Sequence, residues 1–291
     1  MSPLALLRSL VARSEVPTTP RLVARACGRT TTGRRSTNQD RLVVRDDLGL
    51  YAVADGMGGY QGGEVASQTT IDALVARYEA HRRDEEDTWP FVPDAAKTAS
   101  RDRARTTASS PAQTLSLESA HAVVAVETAH RAVREKRRGE LAQMGSTVVM
   151  LARSGARLVV AHAGDSRAVL LRDGVLHALT RDHSFMAELE SRGTGTAEER
   201  ERMAAQFGHV VTKAIGHGEQ LAPTVLELEV QRGDVLLLSS DGLHGVLDAE
   251  EIAHTLAMFA PEDASEILLA RAIEAGSTDN VTAVVVRIET L

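Results

Sequence analysis

Aromatic residues are nearly missing from this 291-residue chain, with one Trp, three Tyr and four Phe. So few rings cannot build the stacking platforms that hold single-stranded nucleic acid. Lysine is equally scarce, standing only at Lys97, Lys136 and Lys213. The 33 basic residues are therefore almost all arginine, a bias that reads as the codon composition of a GC-rich genome. The 40 acidic residues outweigh them and leave a formal charge of −7, which opposes a phosphate-backbone binder. One cysteine, Cys27, excludes an intramolecular disulfide framework and a Cys-cluster metal site, and it points to a reducing, cytoplasmic setting. No apolar run approaches the roughly 18–20 residues of a membrane helix. The opening stretch is interrupted by Arg8 and Arg13, so no signal peptide is expected, and residues 1–20 read as a flexible tail.

What remains is ordinary for a soluble globular chain, 43% hydrophobic and 25% charged. Strands are expected over residues 21–28, and over two runs within 40–55 that turn at Asp46-Asp47-Leu48-Gly49. Further strands are expected over 146–152, 157–163, 225–230, 234–240 and 281–288, with a hairpin over 167–180 turning at Asp173-Gly174. Helical spacing marks 64–79, 117–138, 186–206 (broken at Arg192-Gly-Thr-Gly195), 249–259 and 262–275. Residues 81–115 turn charged and then Ser/Thr/Ala/Pro-rich, and read as a solvated insertion. Strands in hairpins, with helices in separate blocks, imply an α+β chain with antiparallel sheets, and residues 21–291 read as one domain.

Four aspartates stand where an apolar strand runs into glycine or a small polar residue: Asp55, Asp165, Asp241 and Asp279. Any one alone reads as a turn or cap residue. Together they suggest a shared rim, where repelling carboxylates call for protonation or for cations. Oxygen donors, with no Cys cluster and no paired metal-spaced histidines, favour Mg²⁺ or Mn²⁺ over zinc. Glycine beside the aspartate lets a backbone carbonyl join the donors.

Competing motifs fail on their own terms. The glycine corner after Asp55 has Gln61 where a dinucleotide loop needs its last glycine, and Glu64 where a Walker loop needs lysine. No EF-hand run and no G-x-S-x-G elbow occurs. His162 and His183 lie beside motif positions and are expected to be structural.

Eight segments then occur in one order: Gly33-Arg-Arg35-Ser-Thr-Asn38-Gln39-Asp40, Val53-Ala-Asp55-Gly-Met-Gly-Gly59, Gly62-Gly-Glu-Val-Ala-Ser67, Met144-Gly-Ser-Thr-Val148, Gly164-Asp-Ser-Arg167, Leu179-Thr-Arg-Asp182-His-Ser184, Leu238-Ser-Ser-Asp241-Gly-Leu243 and Ser277-Thr-Asp-Asn280. From about residue 20 onward the chain resembles the metal-dependent protein phosphatases (protein phosphatase 2C), in their bacterial serine/threonine phosphatase form. The resemblance implies two stacked antiparallel β-sheets flanked by α-helices. It also implies two Mn²⁺ or Mg²⁺ ions and hydrolysis of phosphoserine and phosphothreonine by a metal-bridged hydroxide.

By that resemblance, Asp55 bridges the two ions, the Gly56 carbonyl holds one, and Asp241 with Asp279 holds the other. Asp40 acts through water, Asp165 takes a third, weaker ion, and Arg35 grips the substrate phosphate. Residues 184–208 correspond to a variable flap over the site. The implied partners are proteins phosphorylated by a serine/threonine kinase, met by a cytoplasmic monomer that binds neither nucleic acid nor membrane. The alternative is a catalytically silent phosphoprotein-binding module of the same fold. Three positions depart from the family pattern. Met57 stands where many members carry a histidine acid, Gln39 where some carry a carboxylate, and Gly245 where some carry a further aspartate.

Overall fold

The computed structural model describes residues 21–59, 61–87, 115–193, 202–204, 206–207 and 210–291. The expectations for residues 1–20 and for most of the 81–115 insertion fall outside them. Two antiparallel sheets form the centre. The first orders β1 (Leu22–Thr31), β11 (Val281–Thr290), β10 (Val235–Ser239), β7 (Arg167–Arg172) and β8 (Val175–Ala178). The second orders β2 (Asp40–Arg45), β3 (Leu50–Met57), β5 (Val148–Ser154), β6 (Arg157–Ala163) and β9 (Thr224–Glu229), with the short β4 (Gly145–Ser146) pairing β3.

The two-residue period of a strand explains the layers. In β3, Tyr51 and Val53 enter the core between the sheets, while Leu50, Ala52 and Ala54 face helices α1 (Gly62–Asp87) and α2 (Leu117–Lys136). In β10, Leu236 and Leu238 point to the other sheet, while Val235 and Leu237 face the helices behind. β11 divides in the same way, Val284, Val286 and Ile288 against Val281, Ala283 and Val285. Strands buried on both faces are apolar at every position, which is why the sequence shows them as runs without polar alternation. The result is the expected α-β-β-α sandwich.

Covering the first sheet are α4 (Asp241–His244), α5 (Ala249–Met258) and α6 (Pro261–Glu274). Asp248 and Glu251 close a reciprocal capping box at the start of α5, and Pro261 opens α6. A further helix, α3 (Phe185–Arg192), ends at Gly193, inside the break that the sequence marks. Several boundaries differ from expectation, β1 running on to Thr31 and β11 to Thr290. Helix α1 continues to Asp87, so the charged residues 81–87 belong to a helix and not to the insertion. The one-turn α4 is too short for any periodicity to announce it.

Candidate active site

Asp40 opens β2 and Asp55 stands near the end of β3, and antiparallel pairing sets them directly opposite. Asp40 is buried, with Oδ2 accepting from Ser240 Oγ at 2.7 Å and Thr282 Oγ1 at 2.6 Å. Both hydroxyls belong to the other sheet's side of the molecule, so Asp40 ties the two sheets at the site. Its Oδ1 has no hydrogen-bond partner. Burial pushes the Asp40 carboxyl up to about 6, against the two hydroxyl bonds and with help from Asp241 and Asp279.

Asp55 is held through its backbone. Its N–H donates to Thr147 Oγ1 at 3.0 Å, and its carbonyl accepts from Thr147 N at 2.8 Å and Ser146 Oγ at 3.0 Å. Its side chain lies well above the usual carboxylate range, through burial first and then the charges of Asp40, Asp241, Asp165 and Asp279. Asp241 begins α4 with a buried, unpartnered Oδ1, and it is raised by burial and by Asp279. Asp165, in the β6–β7 turn, is pushed up to about 6 by burial and by Asp241.

Asp279 precedes β11 and meets Arg35, whose Nη2 donates to Oδ2 at 2.7 Å while Nε reaches the Thr278 carbonyl at 3.3 Å. The remaining Asp279 oxygen accepts from Asn280 N at 2.8 Å.

Arg35, Asp55, Gly56, Asp165, Asp241 and Asp279 all line one cavity of ≈ 550 Å³, joined by Gln39, Met57, Thr147 and Val211. Asp40 lies behind this wall. Val211 stands three residues past the expected flap of 184–208, of which 194–201, 205 and 208 lie outside the described residues. At Gly56 a Cβ would fall 1.9 Å from the Gly63 carbonyl oxygen, so only glycine lets the end of β3 meet the start of α1.

The donor set fits hard divalent cations. It is all oxygen, the carboxyls of Asp40, Asp55, Asp165 and Asp241 are raised by burial and by neighbouring carboxylates, and two buried carboxylate oxygens lack partners. Among the described residues no three His, Cys, Asp or Glu side chains are grouped closely enough to hold an ion by themselves, and water and a backbone carbonyl would supply further oxygen donors.

His162 and His183 are structural, as expected. Their rings stack at 4.5 Å and within 2° of parallel. His183 Nδ1 accepts from Gly164 N at 3.2 Å, which supports the turn that carries Asp165. Burial lowers both, His183 to about 4, so neutral imidazoles do this work.

The sequence reading did not single out Thr147, Ser240, Thr282 or Asn280. Three of them lie inside the quoted motifs, Ser240 and Asn280 adjoining an aspartate. Only their long-range partners reveal what they do.

Residues 30–281 match the family described as protein phosphatase 2C. Over 265 residues the chain is 33% identical to the serine/threonine protein phosphatase PstP of Mycobacterium tuberculosis, covering 91% of this chain and 45% of that protein. The chain thus spans about half the length of that relative. It is 30% identical over 258 residues to the protein phosphatase PhpP of Streptococcus pneumoniae, covering 87% of this chain and 92% of the relative. The solved catalytic domain of PstP in complex with two manganese ions superposes with a TM-score of 0.71 at 31% identity, covering 92% of this chain and 99% of that one. Aspartates at strand ends around one cavity, in the fold of these phosphatases and with the matching profile, place the chain in the protein phosphatase 2C family.

Proposed function

We propose that the chain is a metal-dependent protein phosphatase that hydrolyses phosphoserine and phosphothreonine on proteins modified by serine/threonine kinases. One observation carries the reading: Asp55, Asp165, Asp241, Asp279 and Arg35 line a single cavity, with Asp40 paired to Asp55 on the neighbouring strand. Two Mn²⁺ or Mg²⁺ ions bound there supply an activated water and offset the charge on the phosphoryl oxygens.

Asp55, the Gly56 carbonyl, Asp241 and Asp279 would hold those two ions. Asp40 would act through water, and Asp165 would take a third, more weakly held ion. Arg35, more than half exposed at the cavity mouth, offers its planar fork to two phosphate oxygens, orienting phosphorus for in-line displacement. Met57 carries no proton to give, so the departing serine or threonine oxygen is protonated from water. The lone cysteine sits in β1 and not on the cavity wall, consistent with a path that needs no thiol phosphoenzyme. We read the chain as a cytoplasmic monomer acting on proteins. The net charge of −7 supports the exclusion of nucleic acid, and no described helix is long and apolar enough to cross a membrane.

The test is turnover of a phosphothreonine peptide with Mn²⁺, with EDTA added, and in Asp55→Asn. Metal-dependent hydrolysis that disappears in both controls is expected. Metal binding without turnover would overturn the proposal in favour of a silent phosphoprotein-binding module.

A further inference from the structure

We propose that Asn280 is a positioning residue for the phosphate grip: its amide staples the loop of residues 32–39 to the head of β11 and thereby aims Arg35 over the carboxylate cavity. The inference rests on the reading of Arg35 as the group that takes the substrate phosphate.

Asn280 is 5% exposed, and its side chain is committed to this one loop. Nδ2 donates to the carbonyls of Thr32 and Thr37, each at 2.9 Å, and Oδ1 accepts from Gln39 N at 2.8 Å. An amide has two donors and an acceptor oxygen, and both kinds are used here to hold the loop near its two ends. Between those anchors the Thr32 carbonyl also accepts from Arg35 N at 3.2 Å, closing the turn on which Arg35 stands.

Contact with the strand head is tight. Gly33 takes φ +60°, and a Cβ there would fall 2.2 Å from the Asp279 carbonyl oxygen. The Arg35 side chain is 56% exposed, so burial does not hold its fork. Its direction comes from the bonds of its tip to Asp279 and the Thr278 carbonyl and from the backbone that carries it, which Asn280 fixes. Neighbouring residues of one strand head thus serve Arg35 in two ways, Asp279 at its tip and Asn280 at its base.

A residue that only stabilised the fold would act whether or not Arg35 was present, and a double-mutant cycle separates the cases. The full chain loaded with Mn²⁺ is used, with inorganic phosphate as the probe. Phosphate binding and Mn²⁺ affinity are measured by calorimetry, and KM and kcat on a phosphothreonine peptide, for the native chain, Asn280→Ala, Arg35→Ala and the double variant.

Asn280→Ala is expected to weaken phosphate binding and raise KM by about tenfold, with a smaller change in kcat, as a misaimed bidentate contact would. Mn²⁺ affinity should stay within about twofold, and in the Arg35→Ala background the same substitution should change phosphate binding by less than about twofold. A tenfold effect that persists without Arg35 overturns the proposal. So does a loss of Mn²⁺ affinity as large as the loss of phosphate binding, which would assign Asn280 to Asp279 instead. Native phosphate affinity in Arg35→Ala would overturn the role of Arg35 itself, and is recognisable because it appears in that single variant. Asn280→Asp keeps an acceptor for Gln39 and loses both donors, so it carries the same test if the alanine variant does not fold. Native phosphate affinity in Asn280→Asp also overturns the proposal.

Discussion

Asp40 and Asp55 are register partners across β2 and β3, so one strand pair sets two carboxylates face to face, the first buried and the second at the cavity wall. In the absence of cations this arrangement works against the fold, since both carboxyls lie above their ordinary range. A carboxyl raised in the folded state favours folding when protonated, and that contribution is lost as pH rises through its folded value.

Replacing Asp55 by Asn removes a charge that the fold resists. In EDTA at pH 7.5, Asp55→Asn should be more stable to urea than the native chain, and the gap should narrow as pH falls and the Asp55 carboxyl takes up its proton. Mn²⁺-dependent turnover should fall at least about 100-fold in the same variant. Equal or lower stability in EDTA would show that crowding at Asp55 carries no penalty.

Metal binding should be coupled to proton release. Asp40 and Asp165 both stand at about 6, so each is largely ionised at pH 7.5 and substantially protonated at pH 5.5. A cation must displace those protons in acid. Mn²⁺ affinity is expected to drop by about tenfold or more from pH 7.5 to pH 5.5. Calorimetry in buffers of different ionisation enthalpy should show more protons released at the lower pH. An affinity independent of pH across this window would contradict the arrangement.

Gly56→Ala tests the junction between β3 and α1. The added methyl would lie 1.9 Å from the Gly63 carbonyl oxygen and 2.8 Å from that of Gln39, both backbone atoms. Since neither can rotate away, a loss of about 3 kcal/mol or more in stability is expected, with activity lowered at least about 100-fold. A stable, active variant would mean that the strand end and the helix start can separate without harm to the site.

Arg172→Ala serves as the remote contrast. Arg172 holds Asp234, which is 1% exposed, through two bonds of 2.8 and 2.6 Å. It lies at the end of β7 away from the cavity, since Leu171 pairs Val235 while Arg167 pairs Ser239. Removing the guanidinium leaves a buried charge, at an expected loss of about 3–5 kcal/mol in urea unfolding. The kcat/KM of the folded variant should stay within about twofold. A selective loss of activity would mean that the far end of this strand pair reaches the site.

Much of the molecule is legible in its sequence, because its physics there is local. Strands buried on both faces must be apolar throughout, and β3, β5, β10 and β11 announce themselves as such runs. Asp173-Gly174 forms the expected hairpin turn between β7 and β8. The strand-end aspartates stand out because acidic groups next to glycine or small residues interrupt apolar runs, whereas Arg35 is legible only through the ordered motifs that carry the family resemblance. Helix α1 was harder, since its last turns, 81–87, carry charge at nearly every position and resemble a solvated loop until a helix is seen to contain them.

The amino-acid sequence alone thus determined the strand pattern, the placement of carboxylates at strand ends, and the ordered motifs on which the family resemblance rests. Each follows from the period of a strand, the chemistry of a turn, or residue identity at short spacing. Only the tertiary structure decided that Ser240 and Thr282 hold Asp40 from across the sandwich, 200 and 242 residues away in the chain. It likewise decided that Asn280 holds the Arg35 loop across 241 to 248 residues. Such partners are chosen by the stacking of two sheets and by strand register. A hydroxyl or an amide carries no local mark of the distant group that will satisfy it.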